Sequence, residues 1–159
     1  MIESRVLLTA FRGSSAEQLI KYANGFDTLV LPNDKIKDSE KLIKKIAYST
    51  YDYVFSFGQK PNIKNKVYIE TNARSKESIV ATAFDCERLQ DLFESNDIIS
   101  KISHNAGTSY CNCLYYNGLS YIQNNYLKTR MIFIHIPFFE NINDTDCFFT
   151  KVIYIVSKI

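Results

Sequence analysis

Short β-branched and apolar runs alternate along the chain with longer segments that have helical spacing. The runs that predict strands cover residues 5–11, 27–32, 51–58, 66–71, 97–103 and 130–139. The segments that predict helices cover residues 15–25, 38–49, 85–95, 111–125 and 144–159. The run 130–139 is almost continuously apolar, which is typical of a strand that is covered on both faces. The run 27–32 also predicts a buried strand.

This alternation of strands and helices predicts an α/β fold, a mostly parallel sheet with helices on both sides. The sequence contains no internal repeat and no Pro/Gly-rich linker, so we expect a single domain over residues 1–159. Ligands of such sheets bind at the carboxyl ends of the strands. The rule directs attention to the turns that follow Phe11, Phe57, Ser103 and Ile134.

Composition and charge narrow the class of protein. Apolar residues make up 46% of the chain and charged residues 23%, which is ordinary for a globular protein. The net charge is only +2 and the lysines are scattered, so we expect no nucleic-acid partner. No apolar run reaches the roughly 18 residues of a membrane span, so we expect no membrane partner. Four cysteines without a secretory signal predict a cytoplasmic protein with free thiols.

The stretch SHNAGTSYCNCLYY, residues 103–116, carries the candidate chemistry. Cys111 and Cys113 are separated by one residue, whereas structural zinc motifs use two to four and thioredoxin-like motifs use two. No second Cys or His pair has matching spacing, so we predict no metal site. Buried, inert cysteines remain the ordinary interpretation, and we assign it to Cys86, Cys147 and Cys113.

Cys111 favours a different interpretation, a nucleophile in the first turn of a helix. Unpaired N–H groups and the helix dipole there are expected to lower the thiol pKa, and the same N–H groups can hold an oxyanion. A cysteine nucleophile also needs a general base. The chain has only two histidines: His104, which we expect to point to solvent, and His135, near the end of the apolar strand 130–139.

With these residues in hand, the chain resembles the pyroglutamyl peptidase I family, the pyrrolidone-carboxylate peptidases. The family's cysteine signature, roughly S-x-[STAD]-A-G-x-[FY]-x-C-N, is matched at Ser103, Ala106, Gly107, Cys111 and Asn112. Its F-I-H-V-P histidine motif is matched by residues 133–137. Shorter matches follow in family order, at residues 9–11, 31–32, 58–59 and 72–74.

The resemblance implies a three-layer α/β/α sandwich around a mostly parallel twisted sheet, phosphorylase/hydrolase-like, and a Cys–His–Glu peptidase that removes N-terminal pyroglutamate. By position, Cys111 is the nucleophile and His135 is the base and later the acid. Arg74 and the N–H of Cys111 would stabilise the oxyanion. Phe11 and Gln59 would line the lactam pocket. No cofactor is implied, and family members often form dimers or tetramers, so we expect self-association.

The glutamate that the family pattern places in the catalytic triad is displaced in this chain. The family pattern E-[RK]-V-A-x-N corresponds to NKVYIE, with Asn65 where Glu is expected and Glu70 where Asn is expected. Asn65 is the preferred partner for His135, by analogy with papain-like enzymes. Glu70 is the rival, although five residues along a strand normally lead to the opposite face. A third interpretation is that neither residue touches His135.

The substrate pocket also departs from the family pattern. G-F-x-P-F-G-G becomes AFRGSS, the loop after Arg74 is reduced, and Tyr110 replaces a smaller apolar residue beside the nucleophile. We therefore expect a remodelled, more open pocket, with Tyr110 among the residues that bind substrate. Two functions follow: a cysteine peptidase acting on pyroglutamyl or a related small N-terminal group, or a relative that binds a peptide N-terminus or small amide without turnover.

Overall fold

The computed structural model describes residues 3–159, which form eight strands and five α-helices. The strands are β1 (Val6–Phe11), β2 (Asp27–Leu31), β3 (Tyr53–Lys60), β4 (Lys66–Glu70), β5 (Asn72–Arg74), β6 (Ile79–Ala81), β7 (Ile99–Ser103) and β8 (Arg130–Pro137). The helices are α1 (Ser15–Ile20), α2 (Lys35–Tyr48), α3 (Cys86–Ser95), α4 (Tyr110–Asn124) and α5 (Thr145–Val156). None of the helices within residues 3–159 is long and apolar enough to span a membrane.

Six strands form one mixed sheet in the order β2-β1-β3-β8-β4-β7. The strands β2, β1, β3 and β8 run parallel to one another, whereas β4 pairs antiparallel with β8 and parallel with β7. The predicted α/β fold with a mostly parallel sheet is therefore confirmed. All six predicted strands occur in this sheet.

Each strand sends alternate side chains to opposite faces, and each face is covered by its own helices. On β1, Val6, Leu8 and Ala10 belong to one apolar cluster, which includes residues of α1, α3 and α5. Leu7 and Phe11 belong to a second cluster, which includes residues of α2 and α4. The arrangement confirms the predicted three layers, and both faces of β8 are buried as its apolar run predicted.

Two local features differ from the prediction. Residues 27–32 were expected to form a buried strand, but β2 is an edge strand whose first residues, Asp27 and Thr28, are exposed. The segment after Glu70 forms a small antiparallel hairpin of β5 and β6, which the sequence pattern did not predict. Its strands have only three residues each, too few to show an alternating pattern.

Candidate active site

Cys111 lies in the first turn of α4, as the sequence predicted. The residue that caps the start of the helix, Ser109, makes no side-chain capping hydrogen bond. The other four α-helices are preceded by capping residues whose side chains accept backbone N–H groups, namely Ser14, Asp34, Asp85 and Asp144. The first N–H groups of a helix have no partner within the helix, so those of α4 stay available to a ligand beside Cys111.

Gly58 on β3 makes room for the Cys111 thiol. A Cβ atom at Gly58 would lie 2.7 Å from Cys111 Sγ and 2.8 Å from Phe133 Cζ, closer than real Cβ atoms approach other heavy atoms. In the sheet, Gly58 is the register partner of His135 on β8. The absence of a side chain at Gly58 therefore lets the thiol settle against the strand next to His135.

His135 is held by Glu70. His135 Nδ1 lies 2.8 Å from Glu70 Oε1, and both side chains are buried, with 5% and 0% exposure. The backbone of Glu70 is fixed in turn by Tyr115, whose hydroxyl donates to the Glu70 carbonyl over 2.7 Å. With a carboxylate accepting at Nδ1, the second ring nitrogen, Nε2, is left to act as a base.

The register of β4 explains why Glu70 reaches His135. Tyr68 is paired with His135 and Glu70 with Phe133, so Glu70 and His135 are diagonal neighbours on one face of the antiparallel pair. Diagonal neighbours are within reach of long side chains. The acid therefore approaches the histidine from the last residue of β4.

The preference for Asn65 as the partner of His135 is wrong. Asn65 lies in the turn before β4, in the left-handed region with φ 49°, and its Oδ1 accepts the N–H of Asn143 over 2.8 Å. Its own N–H donates to the Asn141 carbonyl. A continuous strand from Asn65 would place Glu70 on the opposite face, but the strand starts at Lys66.

Cys111 and His135 line one open cleft of about 490 Å³. Other residues of this cleft are Gln59, Lys60, Pro61, Asn62, Ile63, Tyr68, Ala106, Gly107 and Ser109. Gln59 is therefore brought to the site, with its Oε1 accepting the N–H of Ser15 over 3.0 Å. The cleft lies at the carboxyl ends of β3 and β8, where the sequence predicted a ligand.

Phe11, Arg74 and Tyr110 surround the site without being among the residues that line the cleft. Phe11 is 7% exposed and packs against Phe133, with 6.5 Å between ring centroids. The guanidinium of Arg74 donates to the His104 carbonyl over 3.3 Å. Tyr110 is exposed, with Lys35 over its ring, and its expected contact with substrate stays a prediction.

The expected lowering of the Cys111 pKa is also wrong. Burial of the thiol, followed by the nearby charge of Glu70, raises the pKa of Cys111 to about 12, although Lys60 and the residue's own N–H favour the thiolate. The cost of removing a thiolate from water exceeds the help from the helix terminus. An attack by this thiol at neutral pH would therefore need a base to accept its proton, and His135 lines the same cleft.

Sequence reasoning missed the positioning role of Asn112. Its Oδ1 accepts the N–H of Arg74 over 2.9 Å, and its Nδ2 donates to the Arg74 carbonyl over 2.8 Å. This pair of bonds fixes β5 to the first turn of α4, next to Cys111. Asn112 directly follows Cys111 in the matched signature, which was the available signal.

The remaining cysteines and His104 are not among the residues that line the cleft. All four cysteines are free; Cys86 and Cys113 are half-buried, but Cys147 is exposed, which corrects the expectation that it is buried. His104 is exposed as predicted, with Nδ1 2.7 Å from Thr71 Oγ1. Within residues 3–159, no three Cys, His, Asp or Glu side chains are grouped in a way that would hold a metal ion.

One protein-family model matches part of the chain. A family model described as pyroglutamyl peptidase matches residues 81–148, which include Cys111 and His135 but not Glu70. No curated protein matches the chain at a significant level. The resemblance to pyroglutamyl peptidases inferred from the short motifs is therefore confirmed by an independent match.

Solved structures show the same fold along nearly the whole chain. Pyroglutamyl peptidase I from Bacillus amyloliquefaciens is 21% identical, with a TM-score of 0.87 over 98% of this chain and 95% of that one. The pyrrolidone carboxyl peptidase from Fervidobacterium islandicum is 19% identical, with a TM-score of 0.83 over 98% of each chain. The enzyme from Thermococcus litoralis is 17% identical, with a TM-score of 0.80 over 96% of this chain and 91% of that one. This chain thus has the fold of pyroglutamyl peptidases at low sequence identity.

Proposed function

We propose that the protein is a cysteine peptidase that removes an N-terminal pyroglutamyl group, or a related small group, from peptides. The observation that carries the proposal is the buried pair of His135 and Glu70 in the same cleft as Cys111. Two departures favoured a relative without turnover, the displaced acid and the shortened loops. Since Glu70 reaches His135 from the end of β4, the displaced acid no longer favours that alternative.

In the proposed reaction, Cys111 Sγ attacks the carbonyl carbon of the pyroglutamyl residue while Nε2 of His135 accepts the thiol proton. Glu70 keeps the imidazole oriented and stabilises the imidazolium that forms. The carbonyl oxygen becomes an oxyanion, which the uncapped N–H groups at the start of α4 can hold. The proton on His135 then passes to the leaving amine, the peptide departs, and a pyroglutamyl thioester remains on Cys111.

Water completes the cycle. His135 takes a proton from a water molecule that attacks the thioester, and the proton then passes to the Cys111 sulfur as pyroglutamate leaves. In this scheme the high pKa of the buried thiol is compatible with catalysis, since the proton leaves only as the C–S bond forms.

The neighbouring residues fit supporting roles. Gln59 faces the cleft with its Oε1 already bonded to Ser15, so its amide N–H groups are the ones that can reach a lactam carbonyl. Phe11 packs behind the nucleophile in the same apolar cluster as Cys111. We assign Arg74 to the support of the oxyanion site, because it holds the His104 carbonyl at the start of the turn that leads to Cys111.

Hydrolysis of a pyroglutamyl fluorogenic amide in reducing buffer tests the proposal. The wild type should release the fluorophore and Cys111→Ala should not. Cys113→Ala is the matched control, because Cys113 is a half-buried cysteine on the same helix that does not line the cleft. Turnover that survives in Cys111→Ala would contradict the proposal, and so would a folded wild type that hydrolyses no pyroglutamyl amide.

A further inference from the structure

Three lysine ammonium groups surround a single tyrosine ring beside the cleft. The Nζ atoms of Lys60, Lys66 and Lys101 lie 5.2, 5.7 and 5.4 Å from the ring centroid of Tyr68. Each distance is within the range of a cation–π contact. The three residues come from three different strands or strand ends, so the sequence does not show them as a charged run.

These lysines have no acidic partner. Across residues 3–159, no carboxylate oxygen lies within 4.0 Å of Lys60, Lys66 or Lys101, and the ion pairs found are Arg5 with Asp27 and His135 with Glu70. Three ammonium groups held around one ring repel one another, and an anion bound between them offsets that repulsion. The arrangement therefore favours binding of a negatively charged group.

The register of the sheet places this cluster on one side of the catalytic residues. Gly58, His135, Tyr68 and Lys101 are successive partners across β3, β8, β4 and β7. Phe11, on β1, lies on the opposite side of the Cys111 position. Across the sheet, the lysine cluster therefore lies on the β4 side of His135, and the expected lactam pocket lies on the β1 side.

This order assigns the cluster to the leaving peptide, and that step rests on the proposed function. The leaving amine must lie next to His135, which gives it a proton. Neighbouring strands are about 4.8 Å apart and an extended residue spans about 3.4 Å, so the first two residues after the scissile bond extend over β4 towards β7. Lys60 and Tyr68 line the cleft there.

We propose that Lys60, Lys66 and Lys101, grouped around Tyr68, form a carboxylate-binding subsite for the leaving peptide. The substrate class is then short acidic pyroglutamyl peptides. The carboxylate comes either from an acidic side chain directly after pyroglutamate or from the free C-terminus of a dipeptide.

The test compares kcat/KM for matched substrates at low salt. Pyroglutamyl-Glu-Ala-amide is compared with pyroglutamyl-Gln-Ala-amide, and the free acid of pyroglutamyl-Ala with its amide, which separates the two sources of carboxylate. An exposed ion pair contributes up to about fivefold, so with three lysines the acidic member should be preferred by about fivefold, and high salt should abolish the preference.

The variants are Lys66→Gln with Lys101→Gln, since neither of these lysines is among the residues that line the cleft with Cys111. The double variant should lose the preference for acid while hydrolysing the neutral amides as the wild type does. Lys44→Gln, an exposed lysine on α2, is the charge-matched control and should keep the preference. A wild type without preference, or a preference that survives in the double variant, would overturn the subsite.

Failure of the proposed function would be visible separately, because then no substrate, neutral or acidic, would be hydrolysed. In that case binding of the Glu and Gln tripeptides to Cys111→Ala is measured by calorimetry. Tighter binding of the Glu peptide that disappears in the double lysine variant supports the subsite. Equal binding of the two peptides overturns it.

Discussion

Replacing Gly58 with alanine should damage the site by displacing the thiol of Cys111, the proposed nucleophile. The new Cβ would lie 2.7 Å from Cys111 Sγ and 2.8 Å from Phe133 Cζ. Phe133 is fully buried between other rings, so it has little room to move. The thiol is the more mobile of the two, and it must turn away from β3 and from the position next to His135.

The size of the effect follows from these distances. Overpacking by one methyl group in a filled core costs about 1–3 kcal/mol of unfolding free energy. A displacement of the reacting atom by about 1 Å can cost about a hundredfold in rate. We therefore expect kcat for a pyroglutamyl amide to fall about a hundredfold. The midpoint of urea unfolding should also fall, as expected for a loss of about 1–3 kcal/mol in unfolding free energy.

Gly118→Ala is the matched control on the same helix as Cys111. Its Cβ would lie 2.6 Å from Met131 Sδ and 3.1 Å from Leu42 Cδ2, so the crowding is similar. The thioether of Met131 is flexible and far along its side chain, so it can give way. Alanine is also favoured over glycine in a helix interior by about 1 kcal/mol.

Stability and activity are measured on both variants by urea unfolding and by hydrolysis of the fluorogenic amide. Gly118→Ala should keep its kcat, whereas Gly58→Ala should lose it. The reasoning is refuted if Gly58→Ala retains wild-type kcat, or if both variants lose activity in proportion to stability.

Further predictions concern the acid, the thiol and the turns around them. Glu70→Gln should lower kcat by roughly 10²–10⁴-fold, as the loss of the carboxylate in such triads does, and an unchanged kcat would show that Glu70 is not needed. Asn65→Ala should leave kcat near the wild-type value, and a loss as large as that of Glu70→Gln would restore Asn65 as a partner of His135. Because the folded-state pKa of Cys111 is raised from its ordinary 9.0 to about 12, its contribution to stability is complete below pH 9 and is lost as the pH rises from 9 towards 12. The free energy of unfolding of the wild type, measured with urea, should therefore fall more steeply over that pH range than that of Cys111→Ala. Equal slopes would contradict the raised pKa. Asn112→Ala should free the β5–β6 hairpin from α4, seen as faster amide exchange at Arg74, and unchanged exchange would argue against this bond pair as the attachment.

The α/β architecture was predictable because hydrophobic patterns that extend over whole strands and helices determine it. The alternating strands and helices, and the continuous apolar run of residues 130–139, follow from the period of side chains and their burial. The β5–β6 hairpin was not predictable, because three-residue strands leave no periodic signal. The edge position of β2 depends on which strands pair, and a single apolar run does not contain that information.

In the candidate site, residue type and local position pointed to Cys111 and His135, which the structure brings into one cleft. The partner of His135 depended on where a strand begins, and a turn at Asn65 with positive φ changed the face that Glu70 occupies. The pKa of Cys111 depended on burial under neighbouring elements, which a helix N-terminus alone does not reveal. The lysines around Tyr68 come from separate strands and are joined only by the register of the sheet.

The most direct test of the account is detection of the acyl-enzyme. Wild-type protein is mixed with excess pyroglutamyl amide, quenched in acid within the first turnovers, and digested for mass spectrometry. We expect the peptide that contains Cys111 to carry one added pyroglutamyl group, with Cys111→Ala carrying none. Turnover without an adduct at Cys111, or an adduct on Cys86, Cys113 or Cys147 instead, would contradict the central claim that Cys111 is the nucleophile.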